Sequence, residues 1–334
     1  MKKPLVASIA IVTALAAAIL AGAAPTAVLS TNARQHAQTV AAHHAFVKYM
    51  SSHAPMMRAT GASATLSTSS TVSEVGSVNW SGFADVQNTA GTGPGTTPIS
   101  SVSGSWTIPR VNCVSGQYRN EDVIVAQWVG LDGFNDDTVE QLGTEAECFE
   151  GVEYYFEWSE MFPSGTVGQG TTACINDNTD CPQPGDQIQA SVVSTPGTGG
   201  NNDYTLKLTD FSDSAQNFSV PATCPATECL NSSAEWIVER PAYDLYFGPQ
   251  IVPQADYGRT AFTNGTVGTG SKSTTIENYP GAVYDVAMVD DTESYILSCP
   301  GQFGPPGQLL LVPSGCPPAR VFRGDFTVTW DGSF

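Results

Sequence analysis

The chain has 334 residues, with 13 Lys or Arg against 32 Asp or Glu and a formal charge of −19 at neutral pH. A surface that acidic repels phosphate backbones, which excludes nucleic acid as a partner class. Carboxylates crowded on one chain also repel one another until they are protonated, so the composition suits an acidic medium.

The charge is unevenly placed along the chain. Residues 1–73 carry five basic residues (Lys2, Lys3, Arg34, Lys48 and Arg58) and no acidic one, whereas residues 74–334 carry a formal −24. Lys2 and Lys3 precede an apolar run from Leu5 to Leu20 and the small residues Ala21-Gly22-Ala23. That order predicts a secretory signal over residues 1–23; a lone membrane anchor is the alternative, because the run is nearly long enough to span. No later stretch is apolar enough to cross a bilayer, so the mature chain is expected to be secreted and extracellular, without stable membrane association.

Residues 24–73 read as a basic pro-segment, helical in character from Gln38 to Met50 and ending in the Ser/Thr-rich run Thr65 to Ser73. A tail without a role is the alternative. All four histidines (His36, His43, His44 and His53) precede residue 74. A mature domain over residues 74–334 therefore has no histidine, which excludes Ser-His-Asp and Cys-His catalysis and histidine-ligated metals. The eight cysteines all follow the boundary, and an even number in an exported chain predicts disulfides rather than thiolate chemistry. Pairing of sequence neighbours gives Cys113 with Cys148, Cys174 with Cys181, Cys224 with Cys229, and Cys299 with Cys316.

From residue 75 the pattern changes to short alternating runs broken by Gly, Pro, Asn and Ser. Strands are expected at Val78 to Val86, Ser101 to Ile108, Val123 to Leu131, Thr138 to Leu142, Val152 to Phe162, Gln187 to Ser194, Tyr204 to Leu208, Glu235 to Glu239, Ala282 to Val289 and Phe322 to Trp330. Such spacing predicts an all-β fold, an antiparallel β-sandwich of two packed sheets stapled by disulfides. Sequons occur at Asn79, Asn217, Asn231 and Asn264. The run Asn176 to Asp180 resembles part of a calcium loop but lacks its turn glycine and distal glutamate, and reads as an acidic surface loop.

With histidine and thiolate absent, acid-base chemistry falls to carboxylates and amides. In Ala234-Glu235-Trp236-Ile237-Val238-Glu239, alternation puts Glu235, Ile237 and Glu239 on one face. Carboxyls among apolar neighbours have raised pKa values, as a general acid or base requires. Gln141, Asp132 and Glu157 also lie within apolar strands, and each could equally be a hydrogen-bonded structural residue.

Five segments stand in a telling order: Asn79-Trp80-Ser81-Gly82, Trp128-Val129-Gly130-Leu131-Asp132-Gly133, Gln141 before Gly143, Glu157-Trp158, and Ala234 to Glu239. Together they resemble the glutamic peptidases, the eqolisin family of secreted acid proteases. The resemblance implies a sandwich of two large antiparallel sheets, no cofactor or metal, and a catalytic pair at Gln141 and Glu239. It places Trp80, Trp128, Asp132 and Glu157 around that pair as binding or supporting residues, and Glu235 as structural. Glu140 and Leu142 depart from the residues expected beside the glutamine, and Glu140 would put an extra carboxylate next to the site. The stretches Pro163 to Gly185 and Cys299 to Cys316 look like insertions.

The leading expectation is an acid endopeptidase that acts on proteins or peptides as a monomer and carries its own pro-segment as an intramolecular inhibitor. Two other classes fit parts of the pattern. A glycan-active sandwich would use Glu157 or Asp132 as a second carboxylate. A secreted binding module would use the tryptophans as core or platform residues.

Overall fold

The computed structural model describes residues 38–39, 51–60, 72–88, 95–113, 122–167, 174–175, 182–245, 248–290, 296–301 and 323–330. The expected signal sequence, most of the basic segment, the Asn176 to Asp180 run and most of the two expected insertions lie outside these residues. The chain forms two units, residues 1–50 and residues 51–334. In the first, Gln38 and Thr39 are helical, within the span where helix is expected. No helix among the described residues is long and apolar enough to cross a membrane.

The second unit is a sandwich of β-sheets. Its first sheet runs in the order Val152–Phe162, Val139–Phe149, Val123–Leu131, Ser233–Glu239, Trp80–Val86 and Ala282–Val289, every neighbouring pair antiparallel. The second runs Phe218–Pro225, Asn201–Asp210, Gln187–Pro196, Ser101–Thr107, Arg259–Thr269 and Phe326–Trp330, again antiparallel. Ile296–Gly301 pairs with the last strand of each, so the ladder passes from one layer into the other. Ser73–Ser77 adds a parallel strand against Ala282–Val289.

Alternation decides what lies between the layers. Phe83, Val129, Trp236 and Val238 point inward from the first sheet and pack with Val102, Trp106, Ile188, Leu206, Phe262 and Phe326. Buried indoles need a partner for their N–H. Trp236 Nε1 donates to the Ser103 carbonyl at 2.8 Å and Trp106 Nε1 donates to Thr144 Oγ1 at 2.9 Å, so both bonds join the two sheets. The opposite face of the first sheet carries a smaller apolar cluster of Trp80, Ala84, Trp128, Phe134, Val139, Ile237 and Val286, with Met56 packed on it.

The expected strands are present, several with shifted ends. Val139–Phe149 runs seven residues beyond its expected end, because the apolar positions Leu142, Ala146 and Cys148 continue on the inward face through intervening Glu145 and Glu147. Phe218–Pro225 and Arg259–Thr269 were not expected. The former contains two prolines, which an edge strand tolerates, and among the described residues it pairs on one side only. The latter breaks its alternation at a register shift between Thr263 and Thr266.

Of the expected disulfides, Cys113–Cys148 and Cys224–Cys229 are present. Cys299 is also disulfide-bonded, while the side chains of Cys174, Cys181 and Cys316 lie outside the described residues. Among the sequons, Asn217 and Asn264 are exposed, but Asn79 and Asn231 are buried and occupied by internal hydrogen bonds. Cys113–Cys148 closes a loop over a sequence separation of 35. Replacing both cysteines by Ala should lower the unfolding free energy by about 3–4 kcal/mol in a denaturant titration.

Candidate active site

The site grows out of cross-strand register. In an antiparallel pair, residues directly opposite one another point to the same face. One row across the first sheet reads Trp80, Glu239, Ala126, Glu145 and Phe156. The next reads Gly82, Ile237, Trp128, Gly143 and Trp158, and the third reads Ala84, Glu235, Gly130, Gln141 and Glu160. All of these lie on the face turned away from the second sheet. Glu239 and Gln141 are thus two rows apart, with Trp128 between them.

The residues around Trp128 are small for a reason. A Cβ on Gly143 would stand 2.6 Å from Trp128 Cβ and closer still to the Gln127 carbonyl oxygen, and one on Gly130 would stand 2.8 Å from the far edge of the indole. The two glycines let the ring lie across the sheet. From there Trp128 Nε1 donates to Glu239 Oε2 at 2.8 Å, and the Trp80 ring meets Trp128 edge-on at 4.9 Å. Trp80, Trp128, Gln141 and Glu239 are all fully buried. Burial pushes the Glu239 pKa upward, and hydrogen bonds from His53 and Trp128 restrain the rise.

What buries the pair is the segment 51–60. Ser51 and Ser52 pair with Tyr243 and Ala242, and the chain then crosses the row of tryptophans. His53 N–H donates to Glu160 Oε2 at 3.0 Å, and the His53 carbonyl accepts from Gln141 Nε2. The Ala54 carbonyl accepts from Trp80 Nε1 at 3.1 Å and from Asn79 Nδ2 at 3.3 Å. Met57 N–H donates to Asn79 Oδ1 at 2.8 Å, and Met56 N–H donates to the Gly133 carbonyl at 3.0 Å. Arg58 lies over the Phe134 ring at 4.6 Å and bonds Asn135. A peptide that bends at Pro55 is thus held by polar groups of the cleft along its backbone.

His53 itself is enclosed. Its ring stacks on Trp158 at 3.5 Å with an interplanar angle of 3°. Nδ1 lies 3.0 Å from Glu239 Oε2 and Nε2 lies 3.2 Å from Glu145 Oε2. Burial works against a charged ring, but the hydrogen bonds and charges of Glu145 and Glu239 outweigh it and raise the imidazole pKa to about 10. Both nitrogens then carry protons, and each faces a carboxylate.

Gln141 Nε2 faces two acceptors, the His53 carbonyl and Glu160 Oε2, which fixes the orientation of the amide. Its Oε1, like Glu239 Oε1, has no hydrogen-bond partner among the described residues. Glu160 is pushed up to about 7 by burial, and the neighbouring His53 charge holds it back.

The other expected site residues divide. Asp132 ends its strand at φ 67 and accepts from the backbone N–H groups of Asn231 at 2.8 Å and Ser232 at 2.5 Å. It therefore fixes the entry into the strand that carries Glu239, without touching the pair. Burial, reinforced by Asp136, raises its pKa to about 6.

Glu157 is not at the pair. It falls on the inward face, opposite to Trp158, where burial and the charges of Asp210, Asp213 and Asp186 raise it to about 8. Glu140 likewise does not stand beside Gln141 as expected. Alternation turns it inward next to Asp132, and burial holds it well above the usual range. Glu235 shares the face and row of Gln141, where burial also raises its pKa well above the usual range.

Glu145, Glu160 and His53 were not among the expected site residues, and Trp158 stood in a motif without a role of its own. A signal for two of them was present in the hairpin turn Glu150-Gly151, whose residues both have positive φ (51° and 78°). A two-residue turn there pairs Phe149 with Val152, and counting back puts Glu160 opposite Gln141 and Trp158 opposite Gly143. Among the described residues, Glu140 with Cys224 and Cys229 is the one cluster close enough to share an ion, and both sulfurs are tied in their disulfide.

Residues 78–299 match the Peptidase A4 family. No curated protein sequence matches the chain. Among solved structures, aspergilloglutamic peptidase from Aspergillus niger is similar at 20% identity, covering 63% of this chain and 99% of that one, with a TM-score of 0.40. An alginate lyase from Klebsiella pneumoniae is similar at 10% identity over 52% of this chain and 60% of that one, with a TM-score of 0.25. The family match spans more than half of the chain and takes in every motif from Asn79 to Glu239, and the chain belongs to the Peptidase A4 family, the glutamic peptidases.

Proposed function

We propose that this glutamic peptidase is a secreted acid endopeptidase, made as a proenzyme, that cuts peptide bonds in proteins with Glu239 and Gln141. The observation that carries the reading is the peptide at residues 53–57, which bends at Pro55 and is laid across the pair with a backbone carbonyl on the Gln141 amide. A cleft that binds polypeptide backbone in this way suits a peptide substrate.

The chemistry follows from the atoms. Glu239 takes a proton from a water molecule and later gives it to the leaving amine. Gln141 Oε1 holds that water, and its NH₂ group stabilises the oxyanion that forms on the attacked carbonyl. Glu160 orients the amide through its contact with Nε2. The glycan-active alternative named Glu157 or Asp132 as its second carboxylate, and neither stands at Glu239.

Residues 51–60 act as the inhibitory part of the basic segment, because they bury the pair that a substrate must reach. Ser73 opens a strand of the sandwich, so cutting upstream of it leaves the fold intact. The docked His53 has a pKa raised from 6.5 to about 10, so its contribution is complete below 6.5 and is lost only as pH rises through about 10. Acid removes the attraction between the His53 charge and ionised Glu239 and Glu160, but burial raises the pKa of both carboxyls overall, so release of residues 51–60 follows from cutting in the linker.

Glu239→Gln should abolish hydrolysis of denatured casein at acidic pH, and Gln141→Ala should reduce turnover on the order of 100-fold or more. Cleavage by both variants at the wild-type rate would end the assignment of the pair. The inward carboxyls supply a second expectation. Glu157 has its pKa raised from 4.5 to about 8, so its contribution to stability is full below 4.5 and is lost as pH rises through about 8. The melting temperature should fall across that window, and Glu157→Gln should flatten the fall.

A further inference from the structure

The contacts of His53 describe a site as well as an obstruction. Three features of the cleft converge on its ring: the flat face of Trp158, and one carboxylate at each ring nitrogen. The three come from three strands of the first sheet, the adjacent pair Val152–Phe162 and Val139–Phe149 and, beyond Val123–Leu131, Ser233–Glu239, so the sandwich itself holds them in place. The titratable groups that act on the ring from these strands are Glu160, Glu145 and Glu239. Each is an acid, and no side-chain cation is among them.

The shape of the slot selects its occupant. A ring within 3° of parallel to the indole must be flat. Two carboxylates at opposite edges require N–H donors at both, which neutral imidazole cannot supply and imidazolium can. A lysine ammonium has no plane to stack and would meet the tryptophan face as a point charge.

We propose that Trp158, Glu145 and Glu239 form a binding slot for a flat imidazolium cation, filled in the full chain by His53 as a plug over the catalytic pair. The assignment of Glu239 as the base rests on the proposed peptidase function, whereas the slot rests on geometry alone. With the plug in place, Glu239 Oε2 accepts from His53 and Trp128 together, which leaves Oε1 alone to take a proton. Removing the His53 side chain should vacate the slot and take from the strap its stack and both carboxylate contacts, so that the strap leaves the pair part of the time. Because residues 74–334 contain no histidine, a chain cut in the linker loses the plug entirely.

The test uses the full chain carrying His53→Gly, with His53→Gln as a second variant that keeps side-chain bulk but cannot be a cation. Binding is read from quenching of tryptophan fluorescence by imidazolium chloride at pH 5, with ammonium chloride at equal ionic strength as the control. Rates on a fluorogenic peptide are read in parallel. The slot predicts saturable quenching by imidazolium and not by ammonium in His53→Gly, none in wild type, and at least tenfold weaker binding when Glu145→Gln is added. It also predicts a rate in His53→Gly at least tenfold above that of the uncut wild type, brought back down by imidazolium.

In wild-type protein, nuclear magnetic resonance should find one histidine still protonated at pH 8, a measurement that needs no variant to fold. Quenching no better with imidazolium than with ammonium, or four histidines all titrating at or below about 6.5, would overturn the slot. Saturable imidazolium binding in a protein that still cuts no peptide after it has been cleaved in the linker would uphold the slot and count instead against the peptidase reading.

Discussion

The arrangement depends on the register of four adjacent strands. Because side chains alternate and opposite residues share a face, a slip of one residue in Val139–Phe149 would turn Gln141 inward and bring Glu140 to the cleft. The register is held from both sides. The Glu150-Gly151 turn sets it against Val152–Phe162, and Gly143 and Gly130 admit the Trp128 indole against Val123–Leu131. Inward-facing Leu142, Ala146 and Cys148 add an apolar cost to any shift, on the order of 1.5–3 kcal/mol for exposing a large side chain such as Leu142.

The same alternation sorts the carboxyl groups into two populations. Glu239, Glu145 and Glu160 face the cleft and meet a cation there. Glu140, Glu157 and Asp85 face inward, where burial raises their pKa values and favours the protonated form. A chain with few basic residues has little with which to pair buried carboxylates, so protons take that role. Interior groups as well as surface repulsion therefore tie the stability of the fold to pH.

The N-terminal segment shows how one chain serves the two populations differently. Arg58 is placed at the rim, over Phe134, whereas His53 is carried to the centre and stacked on Trp158. The rim contact is half-exposed and screened by solvent, and so is worth little. The central one is enclosed by carboxylates and has five polar or stacking partners.

Much of this was legible in the sequence. The charge boundary, the absence of histidine beyond residue 53, the sandwich and the order of motifs that carries the family were all in local composition and period-two alternation. So was the face shared by Glu235 and Glu239. Phe218–Pro225 was hidden because prolines mask an edge strand, and Arg259–Thr269 because a bulge breaks its period. Only the tertiary structure decided which carboxyls accompany Gln141 and Glu239. Motif order placed Glu157 near them, but a side chain one position along a strand points the other way, so Trp158 and Glu160 stand there instead. His53 was excluded from chemistry as part of a removable segment. Its role became visible only when the chain folded back and brought a residue 186 positions away in sequence to within 3.0 Å of Glu239. Local pattern fixes the face of a residue; which distant faces meet is set by strand register and chain path.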